Sequence, residues 1–194
     1  MGHLPTLPSR LHHTAYVTKD MEATRHFYED IIGLPLTATW CESDMLFGKE
    51  RTYCHCFFGI GDGGALAFFQ FADKEDEALF VPDIPATPFV HLALNVDQAT
   101  QDEIERRITA EGLKATYVLE HGYCRSVYLV DPNGMTVEFT CDDPRVSAGD
   151  AERKARAHAE LKRWLAGDHT SNNTFRDDAV EAAGGGSGNE FAVG

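Results

Sequence analysis

Two histidines and a glutamate carry the chemistry that this 194-residue chain offers. His13 opens the stretch His13-Thr-Ala-Tyr-Val-Thr-Lys-Asp20, and His91 opens His91-Leu-Ala-Leu-Asn-Val-Asp97. In each, a histidine begins a short alternating segment that runs into an aspartate and then into a helical pattern. The chain therefore reads as a duplicated unit with one histidine per copy. Glu138, in Met135-Thr-Val-Glu-Phe-Thr140, falls on the last strand pattern of the second copy. Two imidazoles and one carboxylate form the ligand set that leaves positions open on a divalent transition metal, typically Fe(II). A carboxylate on an otherwise apolar strand is costly to bury without a partner of that kind. The set points to a metalloenzyme.

The elements that must hold these residues can be read from period and punctuation. Leu11 to Thr18 alternates, sending His13, Ala15 and Val17 to one face and His12, Thr14 and Tyr16 to the other, so one of the paired histidines points inward. Asp20 is placed to cap a helix from about Met21 to Ile32, with Thr24, Phe27, Tyr28 and Ile31 as its apolar stripe and Gly33 as its stop. Strands are predicted at Leu36 to Trp40, Thr52 to Gly59 and Ala65 to Ala72. That is a β-α-β-β-β unit over residues 8–74, followed by a charged, proline-bearing linker over 75–87. The order repeats over residues 88–143. There the pattern gives a strand from Val90 to Val96, a helix from about Gln98 to Glu111 closed by Gly112, and strands near Lys114 to Leu119, Arg125 to Val130 and Met135 to Thr140. Asp131-Pro-Asn-Gly134 supplies the turn between the last two. Residues 144–167 hold a helix over Ala151 to Ala166, which reads as a docking helix. Residues 168–194, with Gly184-Gly-Gly-Ser-Gly188, read as a flexible tail that buries too little surface to offset its ordering entropy. The fold class is α+β.

Composition narrows the role. A net charge of -14 disfavours nucleic acid and anionic membranes as partners, since both attract basic surfaces. A small-molecule substrate fits better. No apolar run approaches the length of about 18 residues that spans a bilayer, and Met1 to Pro5 lacks the charged start and apolar core of a signal peptide, so a cytoplasmic location is expected. Five cysteines, an odd number without Cys-x-x-Cys spacing, suit reduced thiols. Cys54-His55-Cys56 reads as ordinary strand rather than a zinc site, because residues two apart on a strand share one face and structural zinc seldom uses that spacing.

From about Leu11 to Asp142 these residues resemble the vicinal oxygen chelate superfamily of glyoxalase I, bleomycin-binding proteins, fosfomycin-modifying thiol transferases and extradiol catechol dioxygenases. The resemblance implies two tandem β-α-β-β-β modules that form a cupped mixed sheet, with metal ligands on the first and last strand of each module. Here those would be His13 and Gln70 from the first copy and His91 and Glu138 from the second. Gln70 departs from the glutamate of glyoxalase I, and a neutral amide is a poor partner for a divalent metal, which leaves three ligands: His13, His91 and Glu138.

His121-Gly-Tyr-Cys-Arg-Ser-Val-Tyr128, followed by the Asp131-Pro-Asn-Gly134 turn and Glu138, resembles the extradiol dioxygenase signature, with Leu119 standing outside it. This implies His121 as acid or base and Tyr128 as the residue that orients a deprotonated catechol oxygen; Tyr128 equally fits a buried tyrosine satisfied by a backbone carbonyl. His55 is the nearest candidate for a first-module acid-base histidine, and an ordinary structural residue otherwise. Phe57, Phe68, Phe89 and Phe139 are read as lying on strands, where those facing inward could flatten an aromatic substrate and the others are ordinary core. The implied function is Fe(II)-dependent cleavage of a catechol-type ring by O2, in a homodimer. Mn(II) is the alternative metal. The alternative functions are a glyoxalase-type isomerase, epimerase or lyase using Ni, Co or Zn, and a binding protein that sequesters a small molecule.

Overall fold

The computed structural model describes residues 4–84, 87, 89–146 and 149–175. They fall into two units: the first holds the chain up to Val90 together with Val130–Met135, and the second holds His91–Leu129 and the chain from Thr136 onward. Among the described residues no helix is long and apolar enough to cross a membrane.

In the first unit, β1 (Tyr16–Val17), β2 (Leu36–Leu46), β3 (Lys49–Gly59) and β4 (Ala65–Phe71) form a sheet in the order β1-β4-β3-β2. β1 runs parallel to β4, and the other pairs are antiparallel. The first strand is shorter than its alternation predicts. Upstream of Tyr16, among the described residues, one bridge forms, from His13 to Ala65, made by Thr14 N donating to Ala65 O at 3.1 Å and Ala65 N donating to His12 O at 3.2 Å. Freed from strict alternation, His12 and His13 do not part to opposite faces; their Nδ1 atoms stand 2.7 Å apart.

The helix α1 begins where its cap requires. The Asp20 carboxylate accepts from Ala23 N at 2.9 Å, an N-cap contact that satisfies one of the free amides of the first turn. The helix is α over Met21–Arg25 and widens to a π-helix over His26–Ile32, stopping at Gly33, whose φ of 96° a side chain would resist. Its stripe of Thr24, Phe27, Tyr28, Ile31 and Ile32 is buried. Tyr28 packs its ring 5.6 Å from Phe58 and 5.1 Å from Phe68. The Tyr28 hydroxyl donates to Asp131 at 2.9 Å, and burial together with that carboxylate holds its pKa well above the ordinary value.

Two parts of the first unit differ from the pattern. β2 and β3 extend beyond their apolar cores into a long hairpin, where Ser43 and Thr52 join hydroxyls at 2.6 Å. Its two-residue turn sets Phe47 and Gly48 at φ 49° and 78°, both left-handed, as such hairpins demand. The expected linker contains a helix, α2 (Lys74–Phe80), capped by the Asp73 side chain on Glu75 N. No apolar stripe announces it. Its inner face is made of Asp76 and Glu77, buried beside Arg51 and Lys74 at 2.9 and 3.0 Å.

In the second unit, β5 (His91–Asn95), β6 (Tyr117–Glu120), β7 (Cys124–Val130) and β8 (Thr136–Asp142) take the order β5-β8-β7-β6, again with the first strand parallel to the last. α3 (Gln98–Ala110) starts at its cap Asp97 and buries Ile104, Ile108 and Gln101. Gln101 is completely buried yet satisfied, donating to Arg125 O at 2.9 Å and Phe139 O at 2.8 Å. α4 (Asp150–Leu165) forms where the sequence predicts but buries none of its residues. Ion pairs such as Arg156 with Glu160 and Arg163 with Glu160 line it instead. The tail expected over 168–194 is described to Phe175; Gly184 to Gly188 lie outside the described residues.

Candidate active site

The second unit assembles four of the expected residues. β5 and β8 pair in parallel with His91 opposite Thr136 and Ala93 opposite Glu138, which puts His91 and Glu138 on one face, two residues out of step. His91 Nε2 stands 2.9 Å from Glu138 Oε2. Glu138 is only 6% exposed, and its carboxylate meets that imidazole and the phenol of Tyr128. Tyr128, on β7, is buried, and its pKa is pushed up to about 12, first by burial and then by the charge of Glu138 and a hydrogen bond to it. A phenol so placed stays neutral and remains a donor. His121 Nε2 lies 3.2 Å from the Tyr128 hydroxyl, and the Tyr128 ring meets that of His91 edge-on at 5.7 Å. One chain of contacts thus runs His121, Tyr128, Glu138, His91.

The donor chemistry suits a divalent metal. Imidazole nitrogen and carboxylate oxygen are both accepted by first-row ions, and two donors each about 2.1 Å from one ion at right angles stand about 3 Å apart. The His91–Glu138 separation of 2.9 Å matches that spacing. Within each unit, among the described residues, no third His, Cys, Asp or Glu joins such a group. His13, the remaining expected ligand, belongs to the first unit.

In that unit His13 sits among aromatic rings. Its ring centroid is 6.0 Å from His55 and 5.6 Å from Phe57, and His55 stacks on Phe69 at 3.6 Å. Among the described residues His55 Nε2 is buried without a hydrogen-bond partner, and burial, then the nearby charge of His13, pushes its pKa down. Further along the sheet an open cavity of about 590 Å3 is lined by Ala15, Val17, Tyr53, Phe69, Phe71 and Phe80. Of the four phenylalanines singled out in the sequence, Phe57 alone accompanies an expected ligand. Phe68 and Phe139 are buried core, and Phe89 is 88% exposed.

Gln70 is not in this group. His55 pairs with Phe69 and Phe57 with Ala67 across the β3–β4 ladder, so the His13 side of β4 carries Ala65, Ala67 and Phe69. Gln70 points to the opposite face, where its amide donates to Lys19 O at 3.1 Å. The position two residues beyond the histidine's strand partner, held by Glu138 in the second copy, is Ala67 in the first.

One contributor was invisible in the sequence. Asn173 Nδ2 donates to His121 O at 3.0 Å, from a stretch whose polar composition reads as tail. No spacing or period marks it.

Residues 10–139 match the family described as the glyoxalase/bleomycin resistance protein/dioxygenase superfamily. The chain belongs to that superfamily. Its fold is similar to that of a genomically encoded fosfomycin resistance protein, FosX, from Listeria monocytogenes, with 20% identity, 72% of this chain and 98% of that one covered, and a TM-score of 0.52. It is also similar to a glyoxalase/dioxygenase from Nostoc punctiforme, with 25% identity, 74% and 97% covered and a TM-score of 0.50. For the trypanothione-dependent glyoxalase I of Leishmania major the values are 18% identity, 78% and 99% covered and a TM-score of 0.52. These likenesses concern the fold alone.

Proposed function

We propose that this member of the superfamily is an Fe(II)-dependent extradiol dioxygenase that cleaves a catechol-type ring, with His13, His91 and Glu138 as metal ligands and His121 and Tyr128 as catalytic residues. The bound metal would supply Lewis-acid binding of two vicinal oxygens and a means of bringing O2 to the same place. The observation that carries the reading is the continuous contact from His121 through Tyr128 to Glu138 and His91. An isomerase that only stabilises an enediolate has less use for a neutral phenol and an imidazole coupled in this way.

Each residue has a role that follows from its surroundings. Tyr128, kept protonated by burial and by Glu138, would turn its one O–H from Glu138 to a deprotonated catechol oxygen and orient it. His121, within hydrogen-bond reach of that hydroxyl, takes or returns the proton that ring opening requires. Glu138 contributes negative charge from a buried position next to His91. Phe57 and the rings around His55 supply apolar walls suited to an aromatic substrate.

The test is anaerobic loading with Fe(II), then a panel of catechols in air, with oxygen uptake and the yellow ring-cleavage product as readouts. Oxygen uptake matched by product is expected. No uptake with any catechol, while Ni, Co or Zn supports proton exchange on a ketoaldehyde adduct, would overturn the reading in favour of a glyoxalase-type enzyme.

A further inference from the structure

The loop that carries His121 is held from outside the two modules. His121 N donates to Cys124 O at 2.9 Å, and Asp143 N donates to Tyr123 O at 2.9 Å. The carbonyl of His121 accepts from Asn173 at 3.0 Å. Asn173 lies on the strap Ser171–Phe175, beyond residue 139 where the superfamily match ends. The strap is anchored at both ends. On one side Arg163 donates to Thr170 O at 2.8 Å and Asn172 to Glu160 at 3.0 Å. On the other, Phe175 lies 5.7 Å from the guanidinium groups of both Arg145 and Arg153, a cation–π contact. A cavity of about 820 Å3 lies between α4 and the strap, so these polar anchors, rather than close packing, keep the strap in position. The Asn173 Oδ1 atom is itself buried and finds no partner among the described residues; orienting this amide has a desolvation cost that the single bond to His121 must offset.

We infer that Asn173 is a positioning residue: the strap Ser171–Phe175 fixes the His121 loop so that the imidazole meets Tyr128, and the chain beyond the duplicated modules is part of the catalytic apparatus. This rests on the role proposed for His121. The strap acts on the backbone of residue 121 and leaves the metal ligands alone. Loss of Asn173 should therefore slow turnover without weakening substrate or metal binding.

The experiment compares the Fe(II)-loaded wild type with Asn173→Ala, Asn173→Asp, His121→Ala and the His121→Ala/Asn173→Ala double variant. Asn173→Ala is expected to lower kcat about tenfold with KM and iron content unchanged, the scale of loss that misplacing a catalytic group produces. Asn173→Asp, which sets a carboxylate against a carbonyl, should lower it at least as far. In the His121→Ala background, removing Asn173 should cost nothing more. Wild-type kcat in Asn173→Ala, or a full additional loss in the double variant, would overturn the inference. A second measurement needs neither metal nor substrate: amide hydrogen exchange at His121 to Cys124 should quicken about tenfold in Asn173→Ala, with α3 unchanged. Unchanged exchange at that loop would overturn the bracing whatever the reaction proves to be. Quickened exchange together with catechol-inactive enzyme would leave the bracing standing and sink the dioxygenase reading alone.

Discussion

The two copies of the repeat build the same sheet and put a histidine at the same place, yet they surround it with opposite chemistry. In the second, His91 has a carboxylate at 2.9 Å and a phenol whose pKa is pushed up to about 12. In the first, His13 has the rings of His55 and Phe57 and, at the position matching Glu138, the methyl group of Ala67. The ladder makes the reason plain. Both first strands run parallel to the last, and both histidines face the same side of it. At this one position the first copy carries Ala67 and the second Glu138. Around its histidine the second copy is polar, with a carboxylate and a phenol, and the first is aromatic.

This division can be broken by substitution. The largest effect should come from His121→Ala, which is expected to lower kcat about 100-fold or more while iron content is retained, as measured by oxygen uptake and metal analysis. Tyr128→Phe should follow, with a loss of about tenfold or more in kcat. Tyr128 also makes a pH prediction. Its folded pKa of about 12 exceeds the usual tyrosine value near 10, so the phenol favours the folded state below pH 10, and that contribution is lost as pH rises from about 10 to 12. The tyrosinate absorbance that disappears in Tyr128→Phe should titrate in that upper range. In Glu138→Gln it should move downward, although not fully, because burial is the larger cause. A wild-type titration unaffected by Glu138→Gln would contradict the coupling.

A smaller effect tests the apolar half. Tyr28→Phe leaves the aromatic packing and removes the donor to Asp131, so it should cost about 1 to 3 kcal/mol of stability in denaturant unfolding without changing iron content. The smallest effect should be that of Gln70→Glu. This residue faces away from His13 and donates to Lys19 O, so a carboxylate there should leave metal affinity unchanged by calorimetry. A gain in affinity would return Gln70 to the ligand set and undo the assignment of Ala67.

Much of this was legible in the sequence because local chemistry and burial agree. Asp20 caps α1, Gly33 ends it, and the stripe between them is buried; likewise Asp97 and the buried Ile104 and Ile108 define α3. The pairing of His91 with Glu138 was implied by their places on the first and last strands of the second copy, Glu138 being the one carboxylate on an otherwise apolar run. Where the reading failed, long-range pairing had replaced pattern. α2 is hidden because Asp76 and Glu77 are buried by ion pairs with Arg51 and Lys74, the reverse of an apolar stripe. The hairpin of β2 and β3 outruns the expected strands because backbone pairing continues to Leu46 and Lys49, with Ser43 and Thr52 joining hydroxyls across it. Gln70 was matched to the wrong face because spacing along one strand says nothing about its register against another. Asn173 gave no signal at all, since its partner lies 52 residues away in a loop.

The central claim is that His91 and Glu138 of the second copy, with His13 of the first, hold one catalytic metal. The most direct measurement is the Fe(II) stoichiometry of the wild type beside Glu138→Ala and His13→Ala, each checked for folding by circular dichroism. The account predicts one ion per chain in the wild type and its loss in both variants while the fold persists. Full stoichiometry in both variants would contradict it.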